Sequence, residues 1–362
     1  MNRNDRPGML SGGIREYAIC YSAKTMRGKR ELVAHISNAT GITKILESVP
    51  QRSSLMVLNY HRIGIAEQTP FDSNVFSATA EQFDTQIGLL KRRFPMVTLE
   101  EALAIVHGKS RRGTSVLITF DDGYIDNYEL AYPILRSHGV QGVFFLPTAF
   151  VGTGRLPWWD EIAYIVKKSR RPLIRLEYPE PATFELSAGG ATRATMEILR
   201  LFKTPAVQDT ERFIRELETV CEASRPEPGA ERCFLNWDEA REMQDGGMAF
   251  GSHTHLHEIL SKLPVSEQER ELAESRRILE RELRRPVETV AYPVGSPDAF
   301  SGDTMTAARS TGYRGAFSFY GGTNTPRQTD PFNIRRLGVG DQSQVRLRLQ
   351  VALAARTGST WI

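Results

Sequence analysis

Ser115-Val116-Leu117-Ile118-Thr119-Phe120-Asp121-Asp122-Gly123-Tyr124 carries an apolar, β-branched run straight into two adjacent carboxylates and a glycine. A short apolar run bounded by a turn signal reads as a buried strand, which places both aspartates where the strand emerges into a loop. Neighbouring carboxylates in a partly dry site repel, and must share a proton or find a cation. Only a cation leaves both ionised. The stretch Gly251-Ser252-His253-Thr254-His255-Leu256-His257 offers the other ligands: three of the chain's 7 histidines, again after an apolar run.

Two pairings of these histidines are open. On a strand, His253 and His255 share a face; on a helical turn, His253 and His257 do. Gly251-Ser252 ends the strand and Ser252 suits a helix N-cap, so the helical pair is favoured and His255 is left as a supporting or core residue. Two imidazoles and one carboxylate, with the remaining positions open to water, form a catalytic metal arrangement, because structural zinc sites are closed by four protein ligands. The reading is that Asp122, His253 and His257 hold a d-block ion, with Asp121 beside it as the base. Such a site hydrolyses amides or esters.

The composition bounds the rest. With 362 residues, the chain could make two average domains or one α/β barrel, and 40% apolar residues are ample for a large core. A net charge of +3 argues against nucleic acid as a partner. Cys20, Cys221 and Cys233 show no metal spacing and leave one unpaired, which fits a reducing compartment. Arg15, Glu16 and Lys24 interrupt any candidate signal-peptide core, and no run is apolar enough for a membrane span. The expectation is a soluble, cytoplasmic protein.

From Leu55 onward, strand-like and helix-like segments alternate. Helices are predicted over 80–94, 99–106, 126–137, 158–168, 210–220, 237–244, 266–283, 303–310 and 345–355, and strands near 55–60, 115–120, 143–146, 248–250, 289–292, 315–319 and 334–339. About seven β/α units predict a parallel sheet closed, or nearly closed, into a barrel, whose active site gathers at the strands' C-terminal ends. Residues 1–50 read as a separate arm of unassigned role, glycine-bearing at Gly12-Gly13, with one short helix from Ser37 to Leu46. Residues 51–362 read as one catalytic domain. The rhythm breaks at about 152–232, an α+β insertion with a hairpin around Pro179-Glu180-Pro181.

Thr119-Phe120-Asp121-Asp122-Gly123, followed by His253-Thr254-x-x-His257 and Pro293-x-Gly295, resembles the polysaccharide deacetylase (NodB-like, carbohydrate esterase family four) pattern. The resemblance covers roughly Leu55 to Gly340. It implies a distorted seven-unit β/α barrel, a divalent metal (usually zinc, with Co2+, Ni2+ or Fe2+ also compatible) and removal of N-acetyl groups from a glycan of N-acetylglucosamine type. It also implies that Asp121 is the base, that Asp122, His253 and His257 are the ligands, and that the Val294 amide helps bind the oxyanion beside Gly295.

Two departures stand out. Ala291 occupies the position where the family's third motif carries a base-orienting arginine, and the late strand near 336–341 lacks the family's acid histidine. His61, after the strand at 56–60, is the predicted replacement, since first and last barrel strands are neighbours. Trp158 and Trp159 are candidates for stacking on sugar rings, with at least one expected in the core, and Tyr124 and Tyr292 are candidates for lining the pocket. Competing readings are a hydrolase of a small non-peptide amide at the same site, or a carbohydrate-binding relative that has lost catalysis.

Overall fold

Short Val-, Ile-, Leu- and Phe-rich segments are extended where the alternation predicts strands. The computed structural model describes residues 17–109, 111–187, 189–227, 229 and 231–359, with side chains from residue 28. Its strands are β1 (Ser54–Tyr60), β2 (Arg62–Ile63), β3 (Phe76–Ala78), β4 (Thr114–Phe120), β5 (Gly142–Leu146), β6 (Leu173–Leu176), β7 (Ala182–Glu185), β8 (Ala249–Ser252), β9 (Thr289–Ala291), β10 (Gly315–Phe317) and β11 (Leu337–Gly338). Seven of them make one sheet in the order β10-β9-β8-β5-β4-β1-β11, every pair parallel.

Both faces of this sheet are covered, as parallel sheets require. Met56, Leu58, Val116, Ile118 and Phe144 face one apolar cluster, while Leu55, Val57, Leu117, Val143 and Phe145 face another with the helix Leu99–Val106. Ile334 bridges to Phe317 of β10, and three residues later Leu337 pairs with Leu58 of β1. The same segment thus touches both ends of the sheet and curls it into the distorted barrel.

Half of the twelve α-helices among the described residues begin where a side chain caps them. Thr79 with Gln82, Thr98 with Glu101 and Asn236 with Glu239 form reciprocal capping boxes. The expected helix 126–137 is instead a π-turn at Asn127–Ala131 followed by Tyr132–His138. Its first residues are engaged elsewhere: Asp126 accepts from Ile63 N and Arg62, and Asn127 donates to the His61 carbonyl. The last strand is shorter than 334–339: only Leu337 and Gly338 pair with β1, while Ile334 makes an isolated bridge to Phe317, and the Arg336 side chain is buried.

The insertion contains the expected helix Trp158–Lys168, the β6–β7 hairpin, the helix Thr210–Cys221, and a further helix, Ala191–Lys203. The last was missed although Ala194, Ile198 and Phe202 recur at helical spacing and are buried. These elements share an apolar cluster that includes Tyr124 and Phe71, so the insertion is packed onto the barrel.

Residues before 50 are more regular than an arm with one short helix. Helices run over Tyr17–Ala39 and Ile42–Ser48; Gly12-Gly13 and the Cys20 side chain lie outside the described residues. Glu31 accepts from Ser343, and Glu47 accepts from Arg93 and Arg348, tying both helices to the barrel's final helix, Gln344–Thr357. Among the described residues no helix is long and apolar enough to cross a membrane.

The bond from Arg348, helped by Arg93, holds the Glu47 carboxyl at about 2, below the usual 4.5. A depressed carboxyl pKa adds stability that is present above the unfolded value and lost as pH falls through the folded one. With Glu47 about one-fifth exposed, Glu47→Gln is expected to destabilise by about 1–2 kcal/mol at neutral pH. Denaturant titrations should show that difference vanishing between pH 4.5 and 2.

Candidate metal centre

β1, β4, β8 and β9 all run out at the same end of the barrel, and four strained backbones mark that end. Asp122, Thr254, His257 and Val294 have φ of 74°, 66°, 57° and 62°, a region that non-glycine residues seldom occupy and that clusters at functional sites. Gly123, at φ 71°, has no such freedom to lose: a Cβ there would lie 2.6 Å from Leu146 Cδ2. A side chain at that glycine would be strained at this φ and would have to displace the buried Leu146 methyl.

The histidine stretch is not a helical turn. Thr254 N donates to Ser252 Oγ at 3.1 Å and His257 N donates to Thr254 Oγ1 at 3.1 Å. Two side-chain oxygens thus fold the chain into consecutive tight turns. This brings His257 beside His253, with ring centroids 4.6 Å apart. His255 points away and pairs through Nδ1 with Thr148 Oγ1 at 2.8 Å.

Asp122, His253 and His257 offer ligand atoms that all lie within 4.8 Å of one another, and all three are buried. Asp122 Oδ1 is 3.6 Å from His253 Nε2 and 3.4 Å from His257 Nε2. Ligand atoms ~2.0–2.1 Å from a shared tetrahedral ion stand ~3.3 Å apart, so the triangle fits one. His253 Nδ1 faces the Ala291 carbonyl at 2.7 Å, which fixes the proton on Nδ1 and leaves the Nε2 lone pair facing Asp122.

Asp121 is held from two sides. Arg336 Nη1 donates to its Oδ1 at 2.7 Å and Asn59 Nδ2 donates to its Oδ2 at 3.0 Å. Asn59 Oδ1 in turn accepts from Arg336 Nη1 and Thr119 Oγ1. Arg336 is fully buried, its Nε donates to Ser318 O, and its Nη2 has no protein partner.

The charges follow from this arrangement. Burial would raise the Asp121 carboxyl, yet Arg336 and the imidazoles of His253 and His61 hold it well below the carboxylate range. Burial, then the neighbouring Asp121, pushes Asp122 strongly up. Burial holds His253 and His257 below the ordinary imidazole value, which favours neutral rings able to ligate. A cation between them reverses the pressure on Asp122.

His61 stands at the rim, its Nε2 3.9 Å from Asp121 Oδ2, its pKa lowered by burial to about 4 against the pull of Asp121. Val294 and Gly295 lie in the loop after β9, where Gly295 N donates to Pro293 O and its carbonyl accepts from Phe319 N. Trp159 is buried with its ring 4.4 Å from that of His257, while Trp158 is half-buried, stacked on Phe202.

Two expected lining residues are elsewhere. Tyr292 is fully buried in the core, stacked on Phe300 with its hydroxyl donating to Phe332 O. Tyr124 is also fully buried: its hydroxyl donates to Asp160 and accepts from Trp159 Nε1, so it braces the ring that packs on His257.

The polysaccharide deacetylase family profile matches residues 108–170 and 182–316, more than half of the chain. The chain belongs to the polysaccharide deacetylase family. YxkH of Bacillus subtilis (strain 168) is 21% identical over 264 residues, covering 72% of this chain and 63% of YxkH. The poly-beta-1,6-N-acetyl-D-glucosamine N-deacetylase of Staphylococcus aureus (strain MSSA476) is 31% identical over 128 residues, 33% of this chain and 44% of that enzyme. The chain therefore spans less than two thirds of either relative. In fold it is similar to the Streptococcus pyogenes deacetylase PplD, solved in complex with acetate (TM-score 0.55, 18% identity, 83% of this chain and 98% of PplD). IcaB from Ammonifex degensii is comparable (TM-score 0.54, 20% identity, 84% and 98%).

In this member of the family the arginine missing at position 291 has a structural counterpart. The guanidinium on Asp121 arrives from Arg336, on the opposite side of the barrel in sequence. The signal was the pair Arg335-Arg336 in a late strand: Arg336 alternates onto the same face as buried Ile334 while Arg335 is exposed, and a charge rarely enters a sheet interior without a partner.

Proposed function

We propose that this chain is a metal-dependent N-deacetylase of an N-acetylated glycan of N-acetylglucosamine type, working through a divalent ion, with Zn2+ the first candidate. Asp122, His253 and His257 hold the ion and Asp121 is the base. The observation carrying this reading is the Asp121 carboxylate, kept ionised by Arg336 while lying 3.8 Å from His253 Nε2 at the edge of the ligand triangle. A bound ion there supplies Lewis acidity to the acetyl carbonyl and to water.

The protein's own groups are arranged for proton transfer on either side of the reacting centre. Asp121 is the group that takes a proton from water. His61, whose Nε2 lies 3.9 Å from Asp121 Oδ2, is the group that passes a proton to the departing nitrogen, which leaves poorly until protonated. In this reading Val294 N assists the oxyanion, Gly295 allows the turn that presents it, and the half-buried Trp158 serves as a sugar platform at the rim.

Acetate release from N-acetylated oligosaccharides, with and without chelator, tests the reading. Release should stop on chelation and return with added Zn2+; chelator-insensitive release sinks it. His61→Ala is expected to keep the metal and lose about 10²–10⁴-fold in kcat, while normal turnover in that variant would remove His61 from the route.

A further inference from the structure

Nine large apolar side chains are well exposed among the described residues, and six of them fall on the two N-terminal helices (Leu32, Val33, Ile36, Ile42 and Ile45) or just after the second (Val49). Leu32, Val33 and Ile36 form one outward stripe of Tyr17–Ala39, opposite Ala34 and Ser37, which are buried. Ile42, Ile45 and Val49 repeat the pattern after the turn at Thr40-Gly41, while Thr43 is buried. An apolar face left in water marks a contact surface.

Charge indicates what the surface meets. Residues 1–48 hold eight Lys/Arg against four Asp/Glu, whereas the whole chain carries only +3. The positive excess therefore belongs to this segment. Lys29, one turn before Leu32 and Val33, is exposed on the same side of its helix. A two-fold contact between copies would bring those cations together, whereas anionic headgroups complement them.

We propose that the N-terminal helix pair lies on an anionic lipid surface, its apolar stripes in the headgroup boundary and exposed Lys29 and Lys44 among the headgroups. This is a surface attachment, not a span. It also orients the enzyme. Glu31 meets Ser343 at the start of the final helix, and Arg30 shares a cleft with Phe319, Arg336 and Gly338 beside the site. The attached surface thus lies alongside the mouth, suiting a substrate held at a membrane.

Sedimentation of the full chain with vesicles tests the proposal independently of deacetylation. The chain should pellet with phosphatidylcholine–phosphatidylglycerol vesicles, stay in solution with phosphatidylcholine alone, and be released by salt. Ile36→Asp and Ile45→Asp, both at exposed positions, should each lower the bound fraction about tenfold with acetate release from soluble substrate unchanged. Lys29→Glu should weaken binding at low salt only. No sedimentation, equal sedimentation of the aspartate variants, or a concentration-dependent dimer abolished by Ile36→Asp would each overturn it, the last by making a second copy the occupant.

Discussion

Arg336→Met is expected to abolish most turnover and to destabilise the fold by about 3–5 kcal/mol, the range for removing one partner of a buried ion pair. Methionine leaves Asp121 Oδ1 and Asn59 Oδ1 without the donor that both share. With the guanidinium gone, burial loses its largest opponent at Asp121 and the carboxyl rises. The acid limb of the kcat/KM profile should therefore move to higher pH, a shift that loss of stability alone does not produce. Arg336→Lys keeps the charge but cannot reach Ser318 O, Asn59 and Asp121 together, so it should recover stability better than rate. An unshifted acid limb in a folded Arg336→Met protein would falsify the assignment of Arg336 as the group that keeps Asp121 ionised.

The second large effect concerns the ligand triangle. His253→Ala should release the ion: one of three protein ligands goes, and the Ala291 carbonyl that fixed the imidazole loses its partner. Metal content measured by elemental analysis should fall from about one per chain to near zero, and acetate release with it. Asp121→Asn is the contrasting variant. It keeps the triangle, so metal should stay, yet it removes the base, at a loss of about 10²–10⁴-fold in kcat. Full metal occupancy in both His253→Ala and His257→Ala would show that the ion is held elsewhere.

What could be read beforehand divides by the range of the interaction. The sheet and most helices follow from local apolar period and caps, as at Thr79-Gln82 and Thr98-Glu101. The clustering of Asp122, His253 and His257 was legible because their motifs are short and each sits within one loop. The conformation joining His253 to His257 was not, because hydroxyls of Ser252 and Thr254 outcompete helical bonds there. Arg336 escaped because its partner lies 215 residues away, and such pairing leaves no local period. Tyr124 and Tyr292 were misplaced by assuming that aromatics near a motif face the substrate, when burial and hydroxyl bonding turned both inward.

Arg336 reaches the base only once the segment 334–338 has settled between β10 and β1. A polypeptide ending before Arg336 carries every visible motif, yet lacks the guanidinium that meets the Asp121 carboxylate. If Asp121 is the base, as proposed, such a nascent or clipped chain is expected to be inert.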